Sequence, residues 1–383
     1  MDLKTLQRIF RTPSDVTTAL PQLRDFAPDL LLIHAAPAWF EAPESLEVLV
    51  AAFPGRCTGC STAGEIAGTA VLDHQCVVTA VKFDSTTISL FETSIPSATE
   101  SYAAGQQLAR AMVESNPDLL IVFAPGTAID GARLVEGMMA ELPPGVPISG
   151  GLAGDEGRFR QTWTIGPSGI HSERVVAIAL KGPQLRFGHG SYGGWKPFGP
   201  IRQVTHCDGN RLYRLESERA LDVYRRYLGD YATDLPASGL LFPFSVLDED
   251  GQETGLIRTI IGIDDEGGSL ILAGSVREGS FLQLMHTNSE GLVDGAEVAA
   301  ERAFTPAARD SASLALLVSC IGRKLLLGER VEDEVAAALE MGPRPLTVAG
   351  FYSNGEIGPS GLTTDCRLHN QTMTITLLGE GDV

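Results

Sequence analysis

Short apolar runs alternate along this chain with stretches whose apolar positions recur at helical spacing. Asp29-Leu30-Leu31-Leu32-Ile33-His34 is a run of the type that forms a strand covered on both faces. Residues 43–53 follow, with Leu46, Val48, Leu49 and Ala52 spaced as on one face of a helix. After Pro54-Gly55, a second strand at 56–60 ends in Ser61-Thr62-Ala63-Gly64-Glu65-Ile66. The order returns from Asp118: a strand at 119–123, a helix at 130–142, a Pro143-Pro144-Gly145 turn, and a strand at 146–149 ending in Gly150-Gly151-Leu152-Ala153-Gly154-Asp155. It returns once more, with a strand at 314–319, a helix at 331–341, and a strand at 346–352 ending in Ser353-Asn354-Gly355-Glu356-Ile357.

The spacings Asp29 to Gly64, Asp118 to Gly154 and Ser313 to Gly355 are similar, and parallel strands need crossovers of about this length. The pattern therefore predicts three βαβ-type units. Each small-residue loop sits at the carboxyl end of a second strand, where open α/β sheets bind ligands. Between the units, residues 76–83 and 87–93, 174–181 and 185–189, and 256–263, 269–276 and 281–285 alternate as antiparallel strands. Short turns join them, one of them at Asp84-Ser85. An amphipathic helix capped by Ser14 is expected at 14–26. The fold class is α/β, two halves of mixed β-sheet with helices. The boundary is expected near residue 230, after a helix at 218–228, giving domains 1–230 and 231–383.

Composition narrows the function. The 383 residues are 44% hydrophobic and 20% charged, as in a folded globular protein. The net charge of −19 opposes phosphate backbones and anionic lipid, so neither nucleic acid nor membrane is expected as a partner. Arg211, Arg214, Arg219, Arg225 and Arg226 form the nearest basic cluster, but Glu216, Glu218 and Asp222 interrupt it, as on a solvated helix face. There is neither a leader-type run nor a stretch of ~20 apolar residues, which points to a cytoplasmic protein. The six scattered cysteines read as reduced thiols.

A family resemblance rests on several motifs in order. Gly59-Cys60-Ser61-Thr62-Ala63-Gly64-Glu65-Ile66 and Gly150-Gly151-Leu152-Ala153-Gly154-Asp155 resemble the N-terminal half of FIST proteins. The stretch 204–229, with Leu212-Tyr213 and Ala220-Leu221-Asp222-Val223-Tyr224, resembles the family's central join. Ser319-Cys320-Ile321-Gly322-Arg323, Gly350-Phe351-Tyr352-Ser353-Asn354-Gly355-Glu356-Ile357 and Leu368-His369-Asn370-Gln371-Thr372 resemble its C-terminal half. The resemblance implies a stand-alone intracellular small-ligand sensor acting on a signalling protein in trans, such as a histidine kinase or a cyclic-dinucleotide enzyme. One branch of the family binds haem and reports nitric oxide; the shared motifs do not assign this chain to it.

The residues themselves suggest two kinds of ligand. Glu65, Asp155 and Glu356 close the three loops and suit an ammonium or hydroxyl groups, and Arg323 suits a carboxylate, so together they fit an amino-acid-like metabolite. Cys60, Ser61, Thr62, Gly151 and Tyr352 on the same strand ends complete the candidate ligand-binding set. The competing reading is that each acid satisfies the N–H groups of its own loop. The other ligand is haem, whose axial candidates are His189, His206 and His286. His34 and His369 read as structural, and His74 and His171 as exposed.

Gly150-Gly151-Leu152-Ala153-Gly154 lacks the spacing and the following helix of a dinucleotide site. Cys57-x-x-Cys60 has no second pair to complete a zinc site, so no metal is expected. Gly-x-Ser-x-Gly, Walker and His-Glu-x-x-His motifs are missing, and the chain is expected not to be an enzyme. A cryptic cysteine-dependent activity would rest on Cys60 or Cys320, both beside apolar strands where thiols are usually inert.

Overall fold

The computed structural model describes residues 3–360 and 365–381. The three expected units are present, each with two parallel strands. Leu30–Ala35 pairs with Cys57–Ser61, Leu119–Ala124 with Ile148–Leu152, and Ala312–Cys320 with Thr347–Ser353. The crossovers run through the helices Glu44–Ala52, Gly131–Glu141 and Val331–Leu339. The first strands are buried along nearly their whole length, which is why they read as apolar runs rather than as alternating ones.

Each unit is larger than its βαβ centre. An edge strand and a helix precede it (Lys4–Phe10 and Pro13–Phe26, Thr87–Ser94 and Ser101–Val113, Leu185–Tyr192 and Ser289–Ala303). A hairpin and a final strand follow, the final strands being Cys76–Lys82, Arg174–Lys181 and Met373–Glu380. The three hairpins are exchanged in a cycle. The hairpin of the first unit (Glu65–Ala67 and Ala70–Leu72) extends the sheet of the third, that of the second (Thr164–Gly166 and Gly169–His171) the sheet of the first, and that of the third (Gly355–Pro359 and Cys366–His369) the sheet of the second. Three six-stranded sheets result, interlocked around a shared apolar core that contains Leu32, Phe123, Leu316 and Phe351.

The turn at Asp84-Ser85 does not make a hairpin, contrary to the alternation. Cys76–Lys82 and Thr87–Ser94 belong to different sheets, as do Arg174–Lys181 and Leu185–Tyr192. The chain passes to the next sheet at each of these points, a long-range choice that local pattern does not encode. The Asp84–Thr86 segment is instead fastened by Glu380, whose carboxylate accepts from the main-chain N–H groups of Asp84, Ser85 and Thr86.

Between the edge strand Leu185–Tyr192 and the helix Ser289–Ala303 of the third unit, the chain inserts residues 196–286 as a nine-stranded antiparallel sheet. The helix Ala220–Leu228 covers one face, with Leu221, Tyr224 and Leu228 in a core shared with Phe244 and Leu270. The division expected near residue 230 falls inside this insert, at Gly229–Asp234, and strands from both sides of it share the triplicated sheets. The opposite face meets the body through Trp195, Ile257, Met285, Leu292 and Leu327.

Candidate functional site

The three glycine–acid turns do meet. The N–H of Gly154 donates to the carbonyl of Ser61 at 2.8 Å, and Ala63 and Tyr352 exchange with each other's turns through Ala63 N–H to Tyr352 O and Tyr352 N–H to Gly64 O, both 2.8 Å. Asn354 N–H donates to Leu152 O at 3.3 Å, closing the ring. At Gly154 a Cβ would lie 2.5 Å from the nitrogen of Ala63 and 2.9 Å from the oxygen of Tyr352, so only glycine fits that junction.

The turns pack against each other rather than opening a cleft, and their acids are spent internally. Asp155 accepts from the N–H groups of Phe159, Arg160 and Gln161. Glu65 accepts from the Thr62 hydroxyl and from Gln75 N–H, and burial pushes its carboxyl up to about 8. Glu356 accepts from the Ser353 hydroxyl and from both the N–H and hydroxyl of Thr372, with its carboxyl pushed up to about 7 by burial. The Ser61 hydroxyl donates to Gly154 O and accepts from Trp163 N–H.

Arg323 is likewise engaged. It forms a fully buried ion pair with Glu334 at 2.7 Å and donates to the carbonyls of Gly193 and Leu292, at 2.7 and 2.8 Å. The hydroxyls of Tyr352 and Ser319 both donate to the same Glu334, at 2.6 and 3.0 Å. Glu334, on the polar-looking start of its helix, was not singled out by the motifs. Cys60 lies fully buried in its strand, and Gly151 abuts Val318 and Gly355.

Two contiguous cavities, of about 1050 and 630 Å³, lie between the inserted sheet and the body, sharing Glu136, Ser275, Val276 and Arg277. Neither is lined by Cys60, Ser61, Thr62, Glu65, Gly151, Asp155, Arg323, Tyr352 or Glu356. Two of them instead brace the walls: Glu356 holds Thr372 and Arg323 holds Gly193, both of which line the larger cavity. The smaller one reaches the strand ends through Gly126, Leu152 and Asn354, whose side-chain oxygen is buried and has no partner among the described residues.

The larger cavity has Ser245, Ile257, Arg258 and Met285 on the sheet side and Tyr192, Arg302, Leu368, His369 and Thr372 on the body side, with Trp195 between. Arg258 is 3% exposed. Its Nε donates to Ser275 O at 3.1 Å and its Nη1 to Ile257 O at 3.0 Å and Leu368 O at 3.1 Å. Burial lowers its pKa to about 10. His369 is held neutral, its pKa lowered to about 4 by burial; its Nε2–H donates to Gly358 O, which leaves Nδ1 as the lone-pair nitrogen. Sequence reading passed over Arg258 because a single arginine ends an otherwise alternating strand. The one available signal is the string of small residues around Gly274, where a Cβ would lie 2.8 Å from Arg258 Nε.

A haem would need an axial side chain facing an apolar slot. None of His189, His206 and His286 lines either cavity. His206 is exposed, bonded to Glu278 and stacked on Tyr213, and His286 is exposed beside Phe198. His189 packs against Gly358 with its Nε2 sealed from solvent. These three residues do not fit the group.

The six cysteines remain thiols. Burial pushes Cys57 up to about 12 and Cys366 up to about 11, and raises Cys60 and Cys320 as well, so neither proposed nucleophile is a thiolate at neutral pH. Of the basic cluster, Arg211, Arg219, Arg225 and Arg226 are all paired with carboxylates. Among the described residues no group of His, Cys, Asp and Glu is arranged to hold a metal, and no helix is long and apolar enough to cross a membrane.

Among proteins of known sequence, an uncharacterized protein of Mycobacterium bovis is 29% identical over 253 residues, covering 63% of this chain and 60% of that protein. An uncharacterized protein of Mycobacterium tuberculosis is 28% identical over 256 residues, covering 63% of each. The chain thus spans about 60% of the length of these relatives. A solved cyanuric acid hydrolase aligns with the whole of both chains, at 11% identity and a TM-score of 0.40. The expectation that the chain is not an enzyme is therefore withdrawn, since the aligned protein is one, although so distant a likeness gives this chain no activity. The family model of the FIST N domain matches residues 29–218 and that of the FIST C domain residues 220–359; FIST domains are generally small-ligand sensors of signal transduction, and this chain belongs to that family.

Proposed function

We propose that the protein senses a small molecule in the cavity between the inserted sheet and the triplicated body, and that it signals by altering how these two layers meet. The observation that supports this is the cavity of about 1050 Å³ at a layer boundary, with half-polar walls drawn from both sides. A ligand there touches both layers at once. It shifts a two-state equilibrium only as far as it binds one arrangement better than the other, and a boundary site supplies that difference. The readout is passed to a signalling protein in trans, such as a histidine kinase or a cyclic-dinucleotide enzyme.

Glu356 and Arg323, expected to touch the ligand, act in this reading as part of the frame that holds the cavity walls. None of the three histidines expected to ligate haem lines this cavity, so the reading does not call on haem.

The test is a thermal-shift screen of small metabolites against the wild type and Ser245→Trp. Ser245 lines the cavity and makes no side-chain hydrogen bond among the described residues, so the indole fills space without removing a bond. A ligand that raises the wild-type melting temperature is expected to lose its effect in the variant. A ligand whose effect survives Ser245→Trp unchanged overturns the proposal.

A further inference from the structure

Among the described residues, Arg258 is a buried cation without an anion. Its Nε and Nη1 are taken by three main-chain carbonyls, and among the described residues no carboxylate lies within ion-pair distance and no acceptor bonds Nη2. Asp130 is the acid that acts on it most strongly, but that carboxylate is committed to Arg133 N–H and the Ser275 hydroxyl. Arg302, from the body wall of the same cavity, also has no carboxylate partner among the described residues. Its Nη1 donates to Ser191 O, and its guanidinium lies 4.6 Å over the Tyr192 ring. This chain carries 48 acidic against 29 basic residues, and the cavity's other two arginines, Arg277 and Arg367, are both paired with acids. Buried guanidinium groups ordinarily have counterions, because desolvation costs several kcal/mol per ion. Here the cavity takes the place where the counterion belongs.

We infer that the ligand carries a carboxylate, which Arg258 receives in the larger cavity. The inference rests on the cavity reading above and adds the chemical class. A guanidinium edge suits a planar two-oxygen anion, and the exposed acids Asp248, Glu249, Asp250 and Glu253 around the same cavity oppose more highly charged phosphates. Arg258 also bonds Leu368 O across the layer boundary, so an anion settling on it acts where the sheet and the body meet.

The test uses the full chain and a panel of small aliphatic and aromatic monocarboxylates, each paired with its uncharged amide, such as benzoate with benzamide. Melting temperature and the fluorescence of Trp195, which lines the cavity, are the two readouts. At least one acid is expected to bind ten-fold or more tightly than its amide, and Arg258→Gln is expected to remove that preference. Should Arg258→Gln not fold, Gly274→Ala displaces the guanidinium from the side and is expected to weaken the acid alone. If acids and amides bind equally, and both are lost in Ser245→Trp, the carboxylate inference fails while the cavity reading stands. If acid binding survives both Arg258→Gln and Ser245→Trp, both fail.

Discussion

Arg258 donates through Nη1 to the main-chain oxygen of Leu368 at 3.1 Å, and the bond runs from the inserted sheet to the triplicated body. A second buried arginine, Arg323, is fully enclosed with Glu334. The two cations look alike in sequence and differ in what their removal leaves behind.

Arg323→Met strands the Glu334 carboxylate in the core and is expected to cost about 3–5 kcal/mol. Arg258→Met leaves three carbonyls without that donor but also removes a buried charge that has no counterion among the described residues, and its cost is expected to be smaller than that of Arg323→Met. Urea unfolding of both variants checks the contrast; an equal or larger loss for Arg258→Met would overturn it.

The junction of the three turns gives a second expectation. Gly154→Ala drives a methyl into the backbone of Ala63 and Tyr352, and roughly 3 kcal/mol of stability should be lost. Calorimetry reads this as a lower melting temperature. An unchanged value would mean that the turns do not meet in the way described.

Stability should peak near pH 6.5. Burial raises Glu65 to about 8 and Glu356 to about 7 from 4.5, so the folded chain keeps protons that the unfolded chain releases, and stability falls as pH rises through that range. Burial lowers His34 and His189 to about 3 and His369 to about 4 from 6.5, so stability is lost as pH falls below 6.5. The two effects oppose each other throughout, the histidines outweighing the carboxyls below 6.5 and the carboxyls outweighing the histidines above it. A decline on the order of 2 kcal/mol between pH 6.5 and 8 is expected. Glu65→Gln keeps an acceptor for Gln75 N–H and should flatten the slope in denaturant titrations across that range.

Thiol labelling separates surface from core. Cys207 is the only cysteine that is not buried, so one thiol per native chain is expected to react rapidly with a disulfide reagent, and all six after unfolding. Rapid native labelling of Cys60 or Cys320 would contradict their burial.

Haem gives the last expectation. With none of His189, His206 and His286 lining either cavity, hemin added to the protein should produce no Soret band that replacement of one of these residues abolishes. Absorption spectroscopy decides it.

The order of apolar runs and helical stretches was enough to find three βαβ units, because a strand buried on both faces must be apolar throughout and a crossover helix must show one apolar stripe. The motif residues also marked the turns that meet at the centre. What Glu65, Asp155, Glu356 and Arg323 do there was not legible: a carboxylate that accepts from its own loop and one that awaits a ligand have the same letter. The exchange of hairpins, the separation of Cys76–Lys82 from Thr87–Ser94, and the cavity at Arg258 depend on contacts between residues far apart in the chain. Periodicity reports which face of an element is buried, whereas only the tertiary structure decides which partner buries it and where a charge is left without one.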